Sequence, residues 1–145
     1  MREYETVYIL DPAMTEADVK ASLTKYSDMI TRHSGSIFRS ASLGKKSLAY
    51  RIKKQTKGYY VSIDYCGDNT VVSDVERNLK LDEKVMRYLT VKLDEEVDVE
   101  ARKQQLIDEA KALELAMAES AANAAKKDMP AVTGDTKPNE EVLNA

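Results

Sequence analysis

Tyr4, Thr6, Tyr8 and Leu10 alternate with Glu3, Glu5, Val7 and Ile9 near the start of the chain. A period of two built from aromatic and β-branched side chains predicts a strand, and the turn pair Asp11-Pro12 ends it. Thr15-Glu16-Ala17-Asp18 then reads as a capping box. Val19, Leu23, Tyr26 and Ile30 follow at spacings of four, three and four, an amphipathic helix that Gly35 is expected to stop.

From Ser36 the period of two returns. Ile37, Arg39, Ala41 and Leu43 fall on one side, and Gly44 permits a bulge or bend that resets the alternation. Beyond it Leu48, Tyr50 and Ile52 share one face, with Ala49, Arg51 and Lys53 on the other. The segment KQTKG, residues 54–58, is expected to close a hairpin into YYVSIDY. There Tyr59, Val61, Ile63 and Tyr65 are the expected core side, with Tyr60, Ser62 and Asp64 turned away. Asp68 or Asn69 caps a second helix that points Val72, Val75 and Leu79 inward and Asp74, Arg77 and Lys80 outward. Asp82-Glu83 leads into a last strand, in which Val85, Arg87, Leu89 and Val91 lie opposite Met86, Tyr88, Thr90 and Lys92.

The resulting order is strand, helix, strand, strand, helix, strand. It is the split βαβ pattern of the ferredoxin-like α+β fold, a four-stranded antiparallel sheet with both helices on one face. Right-handed crossovers put the first and third strands in the centre and leave the second and fourth at the edges. One sheet face is then free of helices, and Tyr50, Tyr60 and Tyr88 are expected at its margins. The expected division is a binding domain over residues 1–93 and an acidic, Ala-rich extension over 94–145, partly helical or disordered. Val99, Leu106, Ala110, Leu113 and Met117 recur at helical spacing within that extension. An isolated helix with so thin a stripe is marginal in water, so coil is the expected state, with disorder from Asp128 onward.

Composition removes several function classes. At 145 residues the chain suits one domain with a real core. No apolar run approaches a membrane span and Met1 leads into no signal-peptide pattern, so a cytoplasmic location is expected. The single cysteine, Cys66, has no partner for an internal disulfide, and with one histidine it makes no recognisable metal cluster. Glycine-rich nucleotide fingerprints and Cys-x-x-Cys are absent from the sequence. His33, at a helix end, suits packing or capping and has no nucleophile near it in the sequence, while Glu3 and Glu5 have no second motif to pair with. No catalytic residue, cofactor, metal or small-molecule substrate is therefore assigned.

Charge is distributed unevenly. Residues 1–93 hold 16 bases and 12 acids, whereas residues 94–145 hold 6 bases and 13 acids. Between Asp28 and Asp64 there is no acid, yet Arg32, Arg39, Lys45, Lys46, Arg51, Lys53, Lys54 and Lys57 lie inside. On charge alone, the strip fits a surface for a polyanion and a solvated Lys-rich hairpin equally well. A free-standing module for single-stranded RNA is the alternative within the nucleic-acid class. It requires two stacking aromatics on one strand face, and KGYYVSIDY places Val61 where the second is needed.

Three segments carry a resemblance: REYE at 2–5, LGKKSLAYRIKKQTKGYY at 43–60 and LDEKVMRYLTVK at 81–92. Across residues 1 to about 93 the chain resembles the bacterial small-subunit ribosomal protein six family. The resemblance implies a ferredoxin-like, non-enzymatic constituent of the small ribosomal subunit that binds the central domain of 16S ribosomal RNA together with small-subunit ribosomal protein eighteen. It implies RNA contacts at Arg2, Arg87 and Lys92, to which charge alone adds Lys53 and Lys54. It also places Leu43, Lys45, Lys46, Leu48 and Tyr50 at the partner protein or the adjoining RNA. Position 3 is often basic in that family and is Glu3 here. An enzyme of the acylphosphatase type on the same fold would carry a phosphate-binding Arg after the first strand, where this chain reads Asp11-Pro12-Ala13-Met14.

Overall fold

The computed structural model describes residues 1–127, so the disorder expected from Asp128 lies outside the described residues. Seven elements follow in order: β1 (Arg2–Leu10), α1 (Glu16–Arg32), β2 (Ser36–Ile52), β3 (Gln55–Gly67), α2 (Asn69–Leu81), β4 (Val85–Asp94) and α3 (Val99–Lys127). The sheet order is β2-β3-β1-β4, antiparallel throughout, with β1 and β3 central. This is the ferredoxin-like arrangement.

Alternation in β1 sends Tyr4, Thr6, Tyr8 and Leu10 to the helix-covered face, where they meet Val61, Ile63 and Tyr65 of β3. Val19, Tyr26 and Ile30 of α1 and Val71, Val75 and Leu79 of α2 close the core from above. Val72, expected inward, is only partly buried; Val71 takes the inward place. Burying each such Leu, Ile or Val side chain contributes about 1.5–3 kcal/mol. Tyr8 meets Tyr26 edge to face at 5.2 Å, a geometry that aromatic quadrupoles favour. The Thr6 hydroxyl, buried in this layer, shares hydrogen bonds with the Tyr65 hydroxyl (3.1 Å) and Thr90 Oγ1 (3.0 Å).

Helix α1 starts with the expected capping box: Asp18 N–H donates to Thr15 Oγ1 and Thr15 N–H donates to the Asp18 carboxylate. Its end differs from expectation. His33 is the C-cap and Ser34, not Gly35, takes the left-handed conformation at φ +65°. His33 Nδ1 also lies 3.2 Å from the Asp74 carboxylate on α2, a packing and capping role.

Three irregularities in β2 break the simple alternation. A shift between Ile37 and Arg39 puts Ile37 opposite core-facing Tyr65 but Arg39 opposite Asp64, so the two residues do not share a side as the alternation predicts. Gly44, at φ +83°, forms the expected bulge. Between Ser47 and Ile52 the strand gains several residues on β3, because Ser47 pairs with Lys57 and Ile52 with Gln55. The hairpin therefore closes at Lys53-Lys54, both left-handed (φ +46° and +64°), rather than over 54–58.

Residues 1–107 form one compact unit, and residues 108–127 belong to a second. Residues 108–127 are helical where coil is expected, with Leu113, Leu115 and Met117 exposed. Within the first unit, the chain after β4 returns to β1: Val97 N–H donates to Met1 O, and Arg102 Nε donates to Glu3 Oε1 at 3.2 Å. No helix among the described residues is long and apolar enough to cross a membrane.

Candidate nucleic-acid and partner interface

The face opposite the helices carries Glu3, Glu5, Val7 and Ile9 from β1, Tyr60, Ser62 and Asp64 from β3, and Arg87, Leu89 and Val91 from β4, as the register requires. Its two ends differ chemically. One end is apolar and roofed by the β2-β3 hairpin. The other is acidic.

The roof follows from the extra residues in β2. They let the hairpin arch back over β1 instead of running straight into solvent. Gly58 makes the close approach possible, since a Cβ there would fall 2.4 Å from Ile9 Cγ2. Ile9 is accordingly 9% exposed although no helix covers its face. At the tip, Lys53 Nζ donates to the Val85 carbonyl at 3.2 Å, and the Arg87 guanidinium lies 5.5 Å from the Tyr50 ring centroid. These contacts enclose a concavity of about 610 Å³, lined by Val7, Ile9, Leu48, Tyr50, Tyr60 and Leu89 among others. Ala49 lines it as well, so Leu48 and Tyr50 do not alternate with Ala49 as a regular strand would require. Leu89 and Val91, 64% and 44% exposed, extend the apolar surface along β4.

The residues expected to meet RNA form two groups. Lys53, Lys54 and Arg87 gather at the hairpin tip. Arg2 and Lys92 sit at the far end of the sheet, since Arg87 pairs with Ile9 and Lys92 with Tyr4, a separation of roughly 17 Å along the strand. Arg2 is exposed and donates to Asn69 Oδ1 at 2.7 Å, an acceptor shared with the Tyr4 hydroxyl. Lys92 pairs with Glu95, and that contact holds the Glu95 carboxyl below its usual range. Lys54 and Arg87 are exposed.

The residues expected at the partner lie on edge strand β2 or its bulge. Leu43 and Tyr50 are 45% and 59% exposed, and Leu48 is half-buried in the concavity. Lys45 and Lys46 stand over the rings of Tyr59 and Tyr60 at 5.3 and 6.0 Å. Tyr88 borders the concavity as expected and also reaches the core side. It pairs with Tyr8 and packs against the core. Sequence reasoning did not single out Leu89 and Val91 as surface residues; the signal was present in a β4 that is apolar on both sides while only one side has helices to cover it.

At the acidic end, partial burial and the neighbouring Glu5 push the Asp64 carboxyl up, with Arg39 and Arg102 opposing. Ser62 Oγ donates to Glu5 Oε1 at 3.1 Å. Glu3, 5% exposed, is engaged by Arg102 and offers nothing to a phosphate. Among the described residues, no group of His, Cys, Asp and Glu is placed to hold a metal ion.

The model of the family described as Ribosomal protein S6 matches residues 3–92. The chain belongs to the ribosomal protein S6 family. Small ribosomal subunit protein bS6 of Syntrophobacter fumaroxidans is 40% identical over 100 residues, covering 69% of this chain and 68% of that protein. The bS6 of Desulfatibacillum aliphaticivorans is 36% identical over 106 residues, 73% of this chain. The match spans just over half of that relative, 57% of its length. A crystal structure of 30S ribosomal protein S6 from Thermotoga maritima shares the fold at a TM-score of 0.60 and 23% identity, over 72% of this chain and 95% of that one. As an S6-family member the chain is a structural, non-enzymatic protein of the small ribosomal subunit, which places it on the cytoplasmic ribosome.

Proposed function

We propose that the chain binds the central domain of 16S ribosomal RNA together with small-subunit ribosomal protein eighteen. Arg2, Lys53, Lys54, Arg87 and Lys92 meet RNA, while Leu43, Lys45, Lys46, Leu48 and Tyr50 meet the partner. One observation supports this reading above the others: the hairpin sets the Lys53, Lys54 and Arg87 cations beside an exposed apolar concavity on a helix-free face. Cations at a rim give phosphate contacts, and the apolar surface gives a protein something to bury. The stacking alternative lacks its geometry, because Tyr60 has Ser62 as its next same-face neighbour and Tyr59 has Val61.

Titration of a 16S central-domain fragment at several salt concentrations, with and without protein eighteen, tests the reading. Binding is expected to need the partner and to weaken with salt, at about −0.7 to −0.9 in log–log slope for each phosphate contacted. Tight, salt-insensitive binding by this chain alone would overturn it.

A further inference from the structure

Glu3 is an ionisable side chain withdrawn almost wholly from water on a sheet face that no core helix covers. The segment after β4 withdraws it. Asp98 caps the start of α3, its carboxylate accepting from Glu100 N–H (3.1 Å) and Ala101 N–H (3.4 Å). One turn on, Arg102 reaches back to Glu3, while Val97 N–H holds the Met1 carbonyl at 2.9 Å. Cys66 lies opposite Glu3 in the register, is 0% exposed, and has its sulfur 4.0 Å from that of Met1.

We propose that residues 97–102 are a strap closed across the acidic end of the open sheet face, with the Glu3–Arg102 ion pair as its latch. The strap is tied at two points only a few residues apart, a backbone hydrogen bond and the ion pair. A carboxylate this withdrawn is tolerated because the guanidinium neutralises it, so losing Arg102 favours the opened form in which water solvates Glu3. Closed, the strap keeps Glu3 out of solvent and sets Arg102 near Asp64. Opened, it frees Met1, uncovers the Cys66 thiol and adds negative charge to the face that carries the basic hairpin.

Cys66 is the sole cysteine of the chain and reports opening directly. The full-length protein is labelled with a thiol-reactive disulfide reagent under native conditions, while hydrogen exchange follows the amides of α1, α2 and β1. Arg102→Gln is expected to label about tenfold faster or more than the parent with core protection retained, as local opening requires. Arg102→Lys keeps the charge and is expected to label more slowly than Arg102→Gln. Lys92→Gln removes the neighbouring exposed pair with Glu95 and is expected to leave the rate unchanged. Labelling of Arg102→Gln at the parental rate overturns the proposal. So does acceleration matched by lost protection throughout the core, or acceleration shared equally by Arg102→Lys or Lys92→Gln.

Discussion

The Arg87 guanidinium of β4 lies 5.5 Å from the centroid of the Tyr50 ring, joining the bulge of β2 to the opposite edge of the sheet. Tyr50 is 59% exposed, so the contact positions the hairpin more than it stabilises the fold. Tyr50→Ala is expected to cost no more than about 1 kcal/mol in urea unfolding, the scale of an exposed cation–π pair. Hydrogen exchange should nevertheless quicken at residues 48–56. A cost spread over the core amides would show that the hairpin is integral to the sheet.

Lys53 and Lys54 both hold positive φ in a two-residue turn, a conformation that Asn-Gly adopts with less strain. Lys53→Asn with Lys54→Gly is expected to stabilise the domain by roughly 0.5–1 kcal/mol, the relief of about 1–2 kcal/mol per left-handed residue being offset by the lost hydrogen bond from Lys53 to the Val85 carbonyl. The same double variant should weaken RNA binding and flatten its salt slope by up to about 1.8, since two cations are lost. Paired urea melts and salt titrations separate these effects. Unchanged RNA affinity would remove the hairpin tip from the interface.

Burial pushes the Tyr8 hydroxyl up to about 12 from its ordinary 10.0, with Ser22 opposing and Asp82 adding to the rise. The folded form thus holds its proton where the unfolded chain releases it. Stability from this group is complete below pH 10.0 and falls between there and about 12, by roughly 2–3 kcal/mol at about 1.4 kcal/mol per pH unit. Alkaline titration of stability should show this loss, and Tyr8→Phe should reduce it. A parallel profile for Tyr8→Phe would assign the loss to Tyr26, which burial and Asp82 also raise.

Asp64 gives the opposite lesson on the acid side. Its folded carboxyl is raised by burial and by Glu5, so its ionised form opposes folding at neutral pH, and that opposition disappears as pH falls towards the ordinary value of 3.8. Asp64→Asn is expected to raise stability at pH 7 by under about 1 kcal/mol, given its partial exposure to screening solvent. The difference should vanish below about pH 4. A variant less stable at pH 7 would mean that its attraction to Arg39 and Arg102 outweighs the desolvation.

Truncation after Asp94 removes Arg102 and leaves Glu3 without its guanidinium. The same cut removes the segment that covers Glu3, so water solvates the carboxylate, and the expected loss is about 0.5–1.5 kcal/mol, the net worth of the hydrogen bonds that Arg102 and Val97 made. Adding Glu3→Gln to the truncated chain should change stability little, because an exposed carboxylate carries almost no desolvation cost. An unchanged melting temperature after truncation would show that the fold ends at β4.

Local chemistry determined much of this fold in advance. The capping box at Thr15 and Asp18, the α1 stripe of Val19, Tyr26 and Ile30, and the β1 and β3 alternation depend on neighbours within a turn or two of chain. The element order and the handedness of crossovers then left little freedom in strand order. The acid-free run from 29 to 63 was legible as charge, and the family segments as sequence. What decided the site was pairing between distant segments. Bulges in β2 depend on which β3 residue lies opposite, so the sides taken by Ile37, Arg39 and Ala49 were not readable from period alone. The arch of the hairpin needed Gly58 to meet Ile9, residues far apart in the chain. Glu3 resembled an exposed strand residue until Arg102 came to lie against it, because burial of a charge is settled by a counter-charge that only tertiary structure supplies.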